Sequence, residues 1–494
     1  MISISELFMK FNENLSIIIP CLIGILILLY TIVAVKHFKG KTGKKHKMTQ
    51  LKKMSRKKAN GIVFGKYAFN KLICSPTNAE GHIAVFGGSG LGKTSALLIP
   101  TLQAWQGTSF TIDISGDICR NIEKPNKMIY EPANPDSIPY NIFGAIDDLD
   151  DVDEQNEALE QLALQLMPDK EKSNSDATEF FTQEGRKILT SAFIAFYHRE
   201  KDFVEICELI IRSSWKDLFN LIDDTNNFNA IQYINSFAGG NEKNTAGCKQ
   251  AVDKVLKLFA TNAKVKRSLR RPNQDEPAFT PKELEYHNVF VIVEDSKLKL
   301  YSPLLRIITS QCMEFFSNRQ NYKKPTILFC IDEFASFGRM EITEALRKLR
   351  KKGIRIMVLT QSMADIDMIY GRDERMSMMN NFRFNVILGI VDHDTQEYFS
   401  LLIGHEVVTK YSKSKSANNV TTSESQSKER IVQAEDLAHL GNKIILLHPD
   451  GFLWVRKNFY YKKPFLRMLM QLFQRIKTYV KQKKETKNIE ADHC

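Results

Sequence analysis

Near its start the chain carries an apolar run, Leu15 to Val35, of 21 residues without a charge. At about 1.5 Å of rise per helical residue it reaches roughly 30 Å, the depth of one bilayer core. Further on the periodicity changes. "NGIVFGKYAFNKLICSP" (60–76) alternates as a strand pair does, and "HIAVFGG" (82–88) is a short apolar run ending in glycine, a buried strand feeding a loop. "TSALLIPTLQAW" (94–105) has helical spacing, and "SFTIDISGD" (109–117) is a second strand with Asp113 and Asp117 at its tip. Together these form a βαβ unit.

From 147 to 283 the pattern is helical, in "EQNEALEQLALQLM", "ATEFFTQEGRKILTSAFIAFYH" and "AVDKVLKLFATNAKVKRSL". Strand signals return at "NVFVIVE" (288–294), "PTILFCIDEF" (325–334), "IRIMVLTQS" (354–362) and "FNVILGI" (384–390), separated by helical stretches such as "ITEALRKLRKK". One parallel α/β sheet interrupted by an inserted all-α domain accounts for this order. "SKSKSANNVTTSESQSKER" (412–430) has no apolar periodicity and is expected to be a mobile loop.

The boundaries that follow are an extracytoplasmic N-terminus at 1–14, a transmembrane helix at 15–35 and a basic juxtamembrane linker at 36–60. The first part of the α/β-sheet domain is expected at 61–146, the all-α insertion at 147–283, the second part at 284–455 and a basic tail at 456–494. A length of 494 residues agrees with two or three folded units.

Charge fixes an orientation. Residues 36–58 hold 11 Lys/Arg and no acid, so the positive-inside rule places the bulk of the chain in the cytoplasm behind a single-pass anchor in the cell membrane. A cleaved signal peptide is the alternative, but residues 1–14 carry only Lys10 against Glu6 and Glu13. The tail from Arg456 adds 11 Lys/Arg against 3 acids; with the whole chain at +12, the body between the flanks is net acidic. High basicity is therefore a property of the flanks and does not describe a body coated with nucleic acid. Anionic lipid and nucleic acid remain competing partners for the tail, whose "FLRMLMQLFQRIKTYVKQKK" is amphipathic and basic. The eight cysteines show no Cys-x-x-Cys and no pairing with His at ligand spacing, and buried free thiols in a reducing cytoplasm are the preferred reading.

The chemistry is concentrated in two places. Gly87-Gly88-Ser89-Gly90-Leu91-Gly92-Lys93-Thr94, followed by Ser95, fits G-x-x-x-x-G-K-[ST] between a strand and a helix. Its glycines let backbone N–H groups wrap phosphate, Lys93 reaches the β- and γ-phosphates, and the Thr94 hydroxyl binds Mg²⁺. "ILFCIDEF" then places Asp332 and Glu333 at the end of a buried strand. Asp332 suits the metal shell and Glu333 suits a general base toward water. Gln361, at the end of the next strand, is placed to sense the γ-phosphate or position water. "RKLRKKG" offers Arg347 and Arg350, either as a solvated helix face or as an arginine finger given to a neighbouring subunit.

These motifs, with "GIVFGK", "IDEFASFGRME", "LTQSMADIDMIYG" and "NFRFNVILGIVDHDTQEYFSLLIG", resemble the type IV secretion coupling proteins of the TraG/TraD kind from about Gly61 to Lys463. The resemblance implies a RecA-like P-loop NTPase that binds ATP and Mg²⁺ and forms a homo-hexamer around a channel, each nucleotide lying at a subunit boundary. It also implies partners: a relaxase–DNA complex, single-stranded DNA and type IV secretion channel proteins, with the insertion receiving cargo. Arg350 falls where some relatives place an arginine finger. Two departures stand out. Where relatives carry D-P-K-G-E, this chain has Asp113-Ile114-Ser115-Gly116-Asp117, without the lysine. Where relatives often have two spans, one is expected here. An FtsK-like DNA translocase and a nucleotide-binding substrate receptor with little motor activity are the rival functions.

Overall fold

The computed structural model describes residues 54–461, apart from 68–70, 77–80, 170–175, 321, 323–325 and 417–418. The expected N-terminus, transmembrane helix, most of the basic linker and the tail beyond 461 lie outside the described residues. Among the described residues no helix is long and apolar enough to cross a membrane.

The strands, in chain order, are β1 (Ser55–Arg56), β2 (Val63–Lys66), β3 (Leu72–Cys74), β4 (His82–Gly87), β5 (Thr108–Asp113), β6 (Lys127–Tyr130), β7 (Asn288–Ile292), β8 (Ile327–Ile331), β9 (Ile354–Thr360), β10 (Phe382–Gly389), β11 (His405–Ser416), β12 (Asn419–Arg430), β13 (Lys443–His448) and β14 (Gly451–Arg456). All but β11 and β12 join one twelve-stranded sheet, in the order β1-β3-β2-β14-β13-β10-β4-β9-β8-β5-β7-β6. From β10 to β6 every neighbouring pair is parallel. From β10 back to β1 every pair is antiparallel, so the sheet is mixed and not purely parallel as expected. The β13–β14 hairpin, missed by the sequence reading, turns on Pro449 and Asp450 with His448 opposite Gly451.

Both faces of the parallel part are covered, which is why its strands read as continuous apolar runs. Successive residues still point to opposite faces. In β4, Ile83 and Val85 pack with Leu97, Leu98, Ile99 and Leu102 of the helix that follows. Ala84 and Phe86 face the other side, which includes the helix Leu298–Ser317 and Met363 and Ile366 from the helix Met363–Asn381. The chain leaves β4 toward β5 on one side, and from β9 it crosses to β10 on the other. The carboxyl end of β4 is thus a topological switch point, where a crevice opens in sheets of this kind.

Between β6 and β7 the chain folds as helices, chiefly Val152–Leu166, Asp176–Tyr197, Phe203–Arg212, Trp215–Asp223, Phe228–Asn235, Glu242–Thr261 and Ala263–Ser268. Their starts are set by side-chain caps: Asp151 accepts from the N–H groups of Asp153 and Glu154, and Asp202 with Glu205 forms a capping box. Tyr130 at the sheet edge meets Ser268 Oγ at 2.9 Å, and Tyr140 donates to Gln311 Oε1 at 2.7 Å, tying these helices to the core.

The mobile loop expected at 412–430 is corrected. It belongs to a two-stranded ribbon paired in register from His405 opposite Arg430 to Ser416 opposite Asn419. Outside 412–422 its residues are exposed or only partly buried, so it needs no apolar alternation; backbone pairing suffices. The six cysteines among the described residues are buried free thiols.

Candidate functional site

The loop after β4 stands at the switch point. Gly92, at φ 93° and ψ 24°, occupies the left-handed region and caps the turn Lys93–Leu98, whose backbone is wider than an α-helix. Ser89 and Gly90 form its exposed tip. Gly88 donates its N–H to Gly389 O at 3.1 Å, which fastens the loop to the end of β10. Gly389 is at φ +147°, and a Cβ there would stand 2.7 Å from Leu91 Cδ1. Sequence reasoning passed over this glycine, although "ILGI" places it at a strand end.

Lys93 is only 6 % exposed. Its Nζ donates to Gly87 O at 2.8 Å and lies 3.4 Å from Glu333 Oε1. Thr94 Oγ1 donates to Asp332 Oδ2 at 3.0 Å. Gln361 Nε2 reaches Glu333 Oε2 at 3.5 Å, since β9 lies between β4 and β8 and ends level with both. The fold therefore brings Lys93, Thr94, Asp332, Glu333 and Gln361 into one cluster at the carboxyl edge of the sheet. Asp332 is pushed up to about 6 by burial first and by the Glu333 charge second, with Thr94 and Lys93 pulling the other way. Glu333 sits at φ 50° and ψ 46°, a left-handed conformation that a side chain adopts at a cost. Backbone strain at one carboxylate and a raised proton affinity at its neighbour mark this strand end as built for chemistry.

Arg350 is not in the cluster. It lies on the turn Leu349–Lys352 just before β9 begins. His82, the first residue of β4, meets Leu346 O at 2.9 Å, which holds this segment under the opposite, amino-terminal edge. Arg347 sits on the helix Ile342–Lys348 above that turn and contacts Ser377 Oγ at 2.7 Å. Asp113, in the segment without the lysine, is fully buried and accepts from Cys119 N–H at 2.8 Å and Ser115 N–H at 3.3 Å. Burial raises its carboxyl, and the backbone donors of the next turn offset this. It acts as a cap, while Asp117 pairs in solvent with Arg120.

Among the described residues no cluster of three or more His, Cys, Asp or Glu gathers as a metal centre. Thr94 and Asp332 nonetheless form a pair of hard oxygen donors beside a phosphate-wrapping loop, the protein share that a nucleotide-borne Mg²⁺ requires.

A G-x-x-x-x-G-K-T loop after a central strand, with an acidic pair at the end of a strand two places away, defines a P-loop α/β protein. Residues 34–489 match the family described as Type IV secretory system Conjugative DNA transfer, and the chain belongs to that family. It is 23% identical over 438 residues to Protein VirD4 of Agrobacterium fabrum, covering 84% of this chain and 64% of that protein. It is also 23% identical over 383 residues to the probable conjugal transfer protein TraG of Sinorhizobium fredii, covering 72% and 58%. The chain thus spans less than two thirds of the length of these relatives. Its fold is similar to the bacterial conjugative coupling protein TrwBdeltaN70, with a TM-score of 0.66 at 20% identity over 84% of this chain and 91% of that one. The plasmid coupling protein TrwB in complex with ADP and Mg²⁺ gives 0.65 at 19% identity over 84% and 92%.

Proposed function

We propose that the protein is a membrane-anchored ATPase that acts as the coupling protein of a conjugative type IV secretion system. It receives a relaxase bound to single-stranded DNA and uses Mg²⁺-ATP hydrolysis to drive or gate passage into the channel. The observation that carries this is the convergence of Lys93, Thr94, Asp332, Glu333 and Gln361, from three segments far apart in sequence, on one sheet edge. The ADP and Mg²⁺ bound by the similar TrwB support the ligand assigned here.

In this reading the backbone N–H groups of Ser89, Gly90, Gly92, Lys93 and Thr94 and the Lys93 ammonium offset charge developing on the transferred phosphate, while the Gly88 N–H stays on Gly389 O. Thr94 and Asp332 hold the metal ion, which when bound neutralises the phosphate oxygens. Glu333 takes the proton of the attacking water, and the Gln361 amide, 3.5 Å from Glu333, orients that water. Arg350, on the opposite edge of its own sheet, serves only if given to the nucleotide of a neighbouring subunit, and that requirement accords with a homo-hexameric ring. The division into 61–146, 147–283 and 284–455, with residues 15–35 as the anchor and the bulk in the cytoplasm, belongs to the same proposal.

The test is Lys93→Ala in donor cells and in purified protein. Transfer frequency should fall to background and ATP turnover should vanish. Unchanged transfer would contradict the proposal.

A further inference from the structure

Pro100 lies inside the helix that follows the phosphate loop, and it leaves a carbonyl without a donor. The Ile99 N–H is committed to Thr94 O, and Pro100 has no N–H to offer Ser95 O. That carbonyl accepts instead from Tyr460 N–H at 3.1 Å. The segment after β14 is thereby pinned against the first turn of this helix. Its neighbour Phe459 closes on the loop itself: a Cβ on Gly92 would stand 3.0 Å from Phe459 Cε1. The Tyr461 ring lies 5.4 Å from that of Phe459 at an interplanar angle of 36°, and Tyr461 is 57 % exposed.

The position of these rings relative to the acidic pair is informative. Glu333 and Gln361 belong to the β8 and β9 side of β4, so the terminal phosphate lies toward that side. A nucleoside triphosphate threaded through the loop carries its base away from the terminal phosphate, toward the β10, β13 and β14 side. The described aromatic cluster on that side that touches the loop is Phe459 to Tyr461.

We propose that Phe459 and Tyr461 form the platform on which the nucleobase of the bound nucleoside triphosphate stacks. This rests on the reading of residues 87–94 as a triphosphate loop and adds to it the site that recognises the base. Every base has a π-face, so stacking alone tolerates adenine and guanine alike. The backbone bond from Tyr460 to Ser95 holds the platform in register with the phosphates. Gly92 is the residue that lets the ring approach.

The full-length protein bearing Phe459→Trp tests this directly. Its fluorescence should be quenched by Mg²⁺-ATP and Mg²⁺-GTP, beyond any response of the three native tryptophans, and left unquenched by bound inorganic tripolyphosphate. Phe459→Ala and Tyr461→Ala should each weaken ATP and GTP binding about tenfold, the range of one lost stacking contact, with tripolyphosphate binding unaltered. Tyr461→Ala removes an exposed ring, so misfolding does not confuse the result. Unchanged ATP affinity in both variants, or an equal loss of ATP and tripolyphosphate, would overturn the platform. Failure of the wild-type protein to bind either ligand would instead overturn the triphosphate loop on which the platform depends.

Discussion

Thr94 and Asp332 are 238 positions apart in the chain and 3.0 Å apart in the fold, hydroxyl to carboxylate. The contact exists because β9 alone separates the strand that ends in the phosphate loop from the strand that ends in the acidic pair. Asp332, pushed up to about 6 from an ordinary 3.8, is neutral in an increasing fraction of molecules below that pH and then offers a cation no charge. Mg²⁺-ATP affinity measured by titration calorimetry should rise from pH 5 to 7 and level off above. Asp332→Asn should flatten this profile and lower affinity at pH 7.5 by roughly tenfold, about 1.4 kcal/mol. Without ligand the sign reverses. A carboxyl whose folded pKa is raised stabilises the fold less as pH climbs from 4 through 6, so apo Asp332→Asn should melt higher than wild type at pH 7.5.

Glu333 keeps a left-handed backbone where glycine would sit without strain. Glu333→Gly should therefore raise thermal stability, by about 1 kcal/mol, while eliminating turnover. Glu333→Ala should eliminate turnover without that gain. Calorimetric melting of the two variants separates strain relief from simple loss of charge.

Gly389 accepts the Gly88 N–H and leaves no room for a Cβ beside Leu91. Gly389→Ala should shift the loop and destabilise the protein by roughly 1–3 kcal/mol. Nucleotide affinity should drop in proportion, because the loop held by the Gly88–Gly389 bond moves. The check is ATP binding and melting temperature on the same preparation.

His82 is buried with one ring nitrogen on Leu346 O at 2.9 Å and the other accepting Ile356 N–H at 3.0 Å. Burial, with Arg355 nearby, drives its pKa down to about 3 from 6.5. The folded state holds His82 neutral, so this site contributes its full stability above pH 6.5 and loses it as pH falls toward 3. The limiting slope is about 1.4 kcal/mol per pH unit. His82→Gln should be less stable than wild type at pH 7.5, and the gap should narrow by pH 5 in urea melts.

Much of the site was legible because its parts carry local signatures. The glycines of 87–92 demand a tight loop, and "ILFCIDEF" and "IRIMVLTQ" are buried strands that end in polar groups. Order along the chain also made β8 and β9 neighbours. What escaped depends on contacts between distant segments. Gly389 looked like an ordinary strand end, and Phe459 like part of a basic tail. Pro449-Asp450-Gly451 between "KIILLH" and "FLWVR" was a hairpin signal within reach of the sequence and went unused. The ribbon at 405–430 escaped for another reason: from 412 on its sequence is polar at nearly every position, so no periodicity distinguishes it from a loop. The position of Arg350 under the opposite sheet edge follows from strand direction and was invisible in the motif alone.

The most direct measurement is the single-turnover rate of ATP hydrolysis by Glu333→Gln beside wild type. If Glu333 takes the proton of the attacking water, the variant should retain ATP affinity within a few-fold and hydrolyse at least about a hundredfold more slowly, the usual worth of a positioned base. Hydrolysis at the wild-type rate by a protein that still binds ATP would contradict the assignment of this strand end as the centre of the motor.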